Sequence, residues 1–133
     1  MQKVLLIDDS PVVRKIVEAT MRRAGIGCVS YENGVEALQA LKRQQEEEMP
    51  DLIFLDIGLP KIDGYNVLRL LKTSPRFDHT PVFILSARDG VLDRIKSHLA
   101  GASGHINKPF KIQQLISIVH TPDNFSVKNR RQV

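Results

Sequence analysis

The chain has 133 residues, 42% of them hydrophobic, which suits one domain with a real core. Its 19 lysines and arginines against 15 acids leave a net charge of +4, partly from a last stretch where Lys128, Arg130 and Arg131 face only Asp123; the rest is too balanced to argue for direct nucleic-acid binding. The single cysteine, Cys28, excludes an intrachain disulfide, no apolar run approaches the ~18 residues of a membrane span, and the four apolar residues after Lys3 are too few for a signal peptide, so a cytoplasmic protein without membrane insertion is expected.

Val4–Ile7 is a continuous apolar run, the pattern of a strand covered on both faces. Ser10-Pro11 then starts a helix, with serine as N-cap and proline at the first helical position. Val12, Val13, Ile16, Val17, Ala19, Thr20 and Met21 recur at helical spacing up to a stop at Gly25. Gly27–Tyr31 reads as a second strand, with Cys28 as a small core residue. Asn33-Gly34 opens a second helix carrying Val35, Ala37, Leu38 and Leu41 on its apolar side, and it fades into the polar run Gln44–Glu48. Leu52–Leu55 is the third strand, and Asp56–Asp63, with Gly58 and Pro60, is a loop. Tyr65, Val67, Leu68, Leu70 and Leu71 make a third helix that ends before Ser74-Pro75. Val82–Leu85 is the fourth strand, and Val91, Leu92, Ile95, Leu99 and Ala100 repeat at helical spacing before Gly101. Gly104–Asn107 is a weak fifth strand; Ile112, Leu115, Ile116, Ile118 and Val119 mark a last helix stopped by Pro122. Residues 1–121 thus read as one domain and 122–133 as a flexible tail.

Five rounds of strand then helix imply an α/β, doubly wound five-stranded parallel sheet with helices on both faces. Ligands of such sheets bind beyond the carboxyl ends of the strands. There the first strand runs into Asp8-Asp9, the third into Asp56, the fourth into Ser86 and the fifth into Lys108-Pro109. Three carboxylates in one cleft repel one another unless a cation compensates. Hard oxygen donors suit Mg²⁺, and one carboxylate is a potential nucleophile toward a phosphoryl group. Lys108 supplies a point positive charge and Ser86 a hydroxyl donor, the electrostatic parts that phosphoryl chemistry needs. Each residue alone has a plain reading: an acid pair capping a helix, a loop aspartate, a turn serine, a solvated lysine. Their coincidence at four strand ends is what singles them out.

These residues resemble the receiver domain of two-component response regulators, of the stand-alone, chemotaxis-regulator type. VLLIDDS (4–10), LIFLDIGLPKIDG (52–64), VFILSA (82–87) and GASGHINKPF (101–110) carry the likeness in the family's order and spacing, and it covers residue 3 to about 120. The resemblance implies a flavodoxin-like fold of strand order 2-1-3-4-5. It implies Asp56 as phosphoacceptor, Asp9, Asp56 and the Gly58 carbonyl as Mg²⁺ ligands with Asp8 assisting through water, and Ser86 and Lys108 on the phosphoryl group. A histidine kinase or phosphotransfer protein would be the donor, in a reaction the receiver itself catalyses. A downstream protein would read the reshaped face of the fourth helix, fifth strand and fifth helix.

Three features depart from the family pattern. The aromatic switch position of the fifth strand holds His105, whose charge varies near neutral pH, so coupling between Asp56 and the partner face is expected to be weak or pH-sensitive. The two positions that tune hydrolysis hold Gly58, which leaves room for water, and Arg88, a possible modulator across the mouth. The last helix is cut short by Thr121-Pro122, which leaves the oligomeric state open. An aspartate-nucleophile phosphatase of the haloacid dehalogenase type is the enzymatic alternative, but its Asp-x-Asp pattern is absent from Asp8-Asp9-Ser10 and from Asp56-Ile57-Gly58. A pseudo-receiver that binds partners without phosphorylation and a receiver fragment of a longer regulator are the other two. Glycine-rich nucleotide loops and His/Cys zinc clusters are missing, and Asn124-Phe125-Ser126 is too common a glycosylation pattern to carry weight.

Overall fold

Alternate residues of the strands feed two separate half-cores, because successive side chains of a strand point to opposite faces. In β1 (Lys3–Ile7), Val4 and Leu6 face one side while Leu5 and Ile7 face the other. The computed structural model describes residues 2–45, 48–58, 63–87 and 90–121. After β1 come α1 (Pro11–Arg23), β2 (Gly27–Tyr31), α2 (Gly34–Arg43), β3 (Leu52–Asp56), α3 (Gly64–Thr73), β4 (Val82–Ser86), α4 (Val91–Leu99), β5 (Gly104–Asn107) and α5 (Ile112–Val119). The strands are parallel and ordered β2-β1-β3-β4-β5, as the family likeness implied.

One half-core packs Val17 and Met21 of α1 and Leu115 and Val119 of α5 on Leu6, Phe54 and Leu85. The other packs Ala37 and Leu41 of α2 and Val67, Leu68 and Leu71 of α3 on Ile7, Leu55 and Ile84. Every residue of β3 and β4 is buried, as continuous apolar runs require. Cys28 is half-buried beside the first half-core.

The helices begin where the turn chemistry says they should. The Ser10 hydroxyl accepts the Val13 N–H (3.2 Å), Asn33 Oδ1 the Glu36 N–H (2.9 Å) and Asp63 Oδ1 the Tyr65 N–H (2.9 Å). Gly25, at φ 74°, takes the left-handed conformation that ends α1.

Helix α4 departs from what its periodicity suggests. The helix is present, yet its apolar residues point to solvent: Val91 is 74% exposed, Leu92 82%, Ile95 50% and Leu99 80%. Its one fully buried side chain is Ser97. Leaving a leucine or valine in water forgoes about 1.5–3 kcal/mol relative to burial. Spacing of apolar residues identifies a helix but does not say which side faces the sheet. The stretch 122–133 and Arg88 lie outside the described residues.

Candidate functional site

Two neighbouring strand ends deliver the three acids. Asp8 follows β1 directly and is fully buried, Asp56 closes β3, and β1 and β3 are neighbours in register Ile7 with Leu55. Asp9 is exposed at the mouth. One carboxylate oxygen from each of Asp8, Asp9 and Asp56 lies within 4.8 Å of the others. Such a group of hard oxygen donors fits a small divalent cation such as Mg²⁺.

Lys108 reaches the same place from β5. Directly after β5, its backbone N–H donates to the Ser86 carbonyl at the end of β4 (2.9 Å). Its ammonium then donates to Asp8 Oδ2 (2.5 Å) and to Asp56 Oδ2 (3.3 Å). The second oxygen of each acid is held by local backbone: Asp8 Oδ1 by the Ser10 N–H and Asp56 Oδ1 by the Gly58 N–H, both 2.9 Å. These bonds fix both carboxylates, since backbone N–H groups two residues on cannot swing away.

Burial sets the electrostatics. It pushes the Asp8 carboxyl above the usual carboxylate range, although the hydrogen bonds from Lys108 and Ser10 pull the other way. For Lys108 burial opposes the charge, but the hydrogen bond and the charges of Asp8 and Asp56 outweigh it, so the ammonium is held above the ordinary lysine value. Lys108 pairs with two of the three clustered carboxylates, Asp8 and Asp56, so the cluster keeps an anionic surplus that a divalent cation would relieve.

The structure therefore brings together Asp8, Asp9, Asp56 and Lys108, with the Gly58 amide on Asp56. Ser86 is buried at the end of β4, one residue past Leu85, the register partner of Asp56. His105 lies on β5 opposite Ile84, half-buried, with both ring nitrogens shielded from water. Arg88 falls outside the described residues. Two supporting residues were not singled out by sequence. Arg14 donates from Nη1 to the Asp8 carbonyl (2.9 Å) and ties α1 to the end of β1; nothing in its spacing distinguishes it from a solvated arginine. Gly64 lets α3 start against the chain that leaves β3, its N–H donating to the Ile57 carbonyl (3.3 Å). Its signal was the Asp63-Gly64 pair itself.

An acidic pocket at the carboxyl ends of a 2-1-3-4-5 parallel sheet, closed by a lysine from the last strand, defines a receiver. The chain belongs to the response regulator receiver domain family, whose model matches residues 4–120. Among curated proteins it is 33% identical over 122 residues to Protein PilG of Pseudomonas aeruginosa, covering 90% of this chain and 87% of PilG. It is 34% identical to the DNA-binding dual master transcriptional regulator RpaA of Synechocystis, but spans only 48% of that protein. Among solved structures, the Vibrio cholerae chemotaxis response regulator CheY4 superposes with a TM-score of 0.82 at 26% identity, covering 90% of this chain and 97% of CheY4. The receiver domain of sensor histidine kinase PA1611 from Pseudomonas aeruginosa, solved with magnesium in its active site cleft, gives 0.78 at 30% identity over 90% of this chain and 94% of that one. Among the described residues no helix is long and apolar enough to cross a membrane.

Proposed function

We propose that the chain is a phospho-receiver that takes a phosphoryl group on Asp56 from a histidine kinase or phosphotransfer protein and passes the signal by protein contact. The carrying observation is the single ammonium of Lys108 shared between buried Asp8 and Asp56, beside a third carboxylate. In the transfer an Asp56 carboxylate oxygen attacks phosphorus and the P–N bond to the kinase imidazole breaks. The bonding pair stays on that ring nitrogen, and because the other ring nitrogen carries a proton the group leaves as a neutral imidazole. The Gly58 N–H keeps the carboxylate oriented, and burial excludes bulk water from the attacking side. Lys108 is close enough to Asp56 to follow the new negative charge onto a phosphoryl oxygen, with Ser86 beside it as hydroxyl donor.

Asp8, Asp9 and Asp56, with the Gly58 carbonyl, would hold Mg²⁺, as the magnesium-bound PA1611 receiver domain also suggests. The cation would neutralise charge on the phosphoryl group. Ser86 and His105 form the switch in this reading, with Arg88 as modulator of hydrolysis, and the activity is self-catalysed rather than that of a conventional enzyme. A cytoplasmic location and a domain ending near residue 121 belong to the same proposal.

Incubation with acetyl phosphate and Mg²⁺ followed by intact mass measurement tests it. Wild type gains one phosphoryl mass and Asp56→Asn does not. No gain in wild type makes the chain a pseudo-receiver; an equal gain in Asp56→Asn makes Asp56 the wrong acceptor.

A further inference from the structure

Strand β2 is an edge of the sheet, and among the described residues only β1 pairs with it. The Gly27 N–H donates to the Gln2 carbonyl (3.1 Å) and the Tyr31 carbonyl accepts the Asp8 N–H (3.0 Å). The main-chain groups of Gly27, Val29 and Tyr31 therefore turn to β1, and those of Cys28 and Ser30 turn outward. An open row of this kind is a template for another strand.

The flank of α1 beside this edge carries one charge of each sign. Glu18 overlooks the end of β2, where its Oε1 accepts the Ser30 hydroxyl. Arg22, one turn further on, overlooks the start of β2 and lines a cleft of about 310 Å³ with Glu18, Gly25, Ile26, Gly27 and Cys28. Among the described residues Arg22 has no ion pair.

A two-fold axis through Val29 makes this edge complementary to itself. In the antiparallel register that sets Cys28 against Ser30 of a second copy, both residues exchange N–H and carbonyl bonds, twice over. That register uses all the outward groups of Cys28 and Ser30. It also sets half-buried Val29 against Val29 of the second copy, a favourable β-branched pair. Arg22 beside Cys28 then meets Glu18 beside Ser30 of the second copy, and the reverse pair forms across the axis. The cleft leaves room for that carboxylate next to Arg22.

We propose that β2 is a self-association edge, at which two copies of this chain pair antiparallel and join their sheets, with reciprocal Glu18–Arg22 ion pairs fixing the register. The edge lies across the sheet from β5. The inference goes beyond the phospho-receiver reading and stands without it.

The test is sedimentation velocity on the full chain, with amide exchange followed by NMR. A small polar interface of this kind associates in the roughly 10–500 µM range, and added salt weakens it. The Cys28 and Ser30 amides exchange more slowly as concentration rises, while those of Gly27 and Val29, already bonded to β1, do not change. Arg22→Glu and Glu18→Arg each set like charges across the axis and weaken self-association about tenfold; mixed together, the two variants restore it as a heterodimer. Ser30→Pro removes an outward N–H that β1 does not use, and it abolishes the dimer with unchanged circular dichroism. A chain that stays monomeric throughout the range overturns the proposal, as does a dimer indifferent to both charge variants. Protection of the two amides in a monomeric chain by an added synthetic strand of alternating valine and threonine also overturns it, since the edge would then belong to a different partner.

Discussion

Gly64→Ala tests how closely the fold holds Asp56. The added Cβ would lie 2.3 Å from Ile57 Cα, 2.6 Å from the Asp56 carbonyl oxygen and 2.9 Å from the Ile57 carbonyl carbon. All three are main-chain atoms, so no rotamer relieves the overlap. Carbon contacts under 3.0 Å are essentially never seen, so α3 and the chain leaving β3 must separate by about 1 Å. Overpacking costs about 1–3 kcal/mol, and a clash against backbone belongs at the upper end. Weakening the Gly64 N–H bond to Ile57 adds about 1 kcal/mol at most. A loss of about 3 kcal/mol lowers the unfolding midpoint by roughly 10 °C for a domain of this size. The displaced carbonyl belongs to Asp56 itself, so its carboxylate moves away from Lys108. A misplacement near 1 Å slows phosphoryl uptake about a hundredfold. Denaturant titration by circular dichroism and timed mass measurement with acetyl phosphate read the two effects. A variant within about 0.5 kcal/mol of wild type that is phosphorylated at the wild-type rate refutes the reasoning.

Lys108→Met leaves Asp8 and Asp56 without their shared cation and costs about 3 kcal/mol at neutral pH in metal-free buffer, measured by denaturant unfolding. Because the folded state holds the Lys108 ammonium above its ordinary value, its stabilisation is complete below the unfolded value of 10.5 and disappears as pH rises through the higher folded value. The gap between wild type and Lys108→Met therefore closes only in strongly alkaline buffer. Tyr65→Phe keeps the ring but removes the hydrogen bond to Asp93; about 1 kcal/mol of stability is lost, with faster hydrogen exchange in α4 than in α1. Burial pushes the Cys28 thiol up to about 12, so Ellman's reagent at pH 8 labels it only when denaturant unfolds the chain.

Most of the architecture was legible because each element carries its own punctuation. Ser10-Pro11, Asn33-Gly34 and Gly25 mark helix ends through local hydrogen bonding and backbone conformation, which depend on a few neighbouring residues. The acids were legible because a parallel sheet places every strand's carboxyl end on one edge. What stayed hidden depends on distant partners. The link between Tyr65 and Asp93 spans 28 residues, and no periodicity announces it. Helix α4 had the right period and an unexpected face, because Asp93 and Arg94 anchor it by polar contacts while its apolar side turns outward. Arg14 was invisible for a related reason: its partner is a backbone carbonyl, which leaves no mark in sequence.

The two ends of the Lys108–Asp8 ion pair are 100 residues apart in the chain. A ribosome that has delivered β1 to β4 has delivered all three carboxylates and no ammonium to balance them. Synthesis proceeds from the N-terminus, so the half-made sheet carries a patch of negative charge at the carboxyl ends of β1 and β3 without its lysine partner. Docking of β5 beside β4 completes the sheet and brings Lys108 to those acids in the same movement. Charge balance in the pocket thus certifies a completed sheet: a chain interrupted before its fifth strand holds the acceptor aspartate but lacks the cation that steadies it.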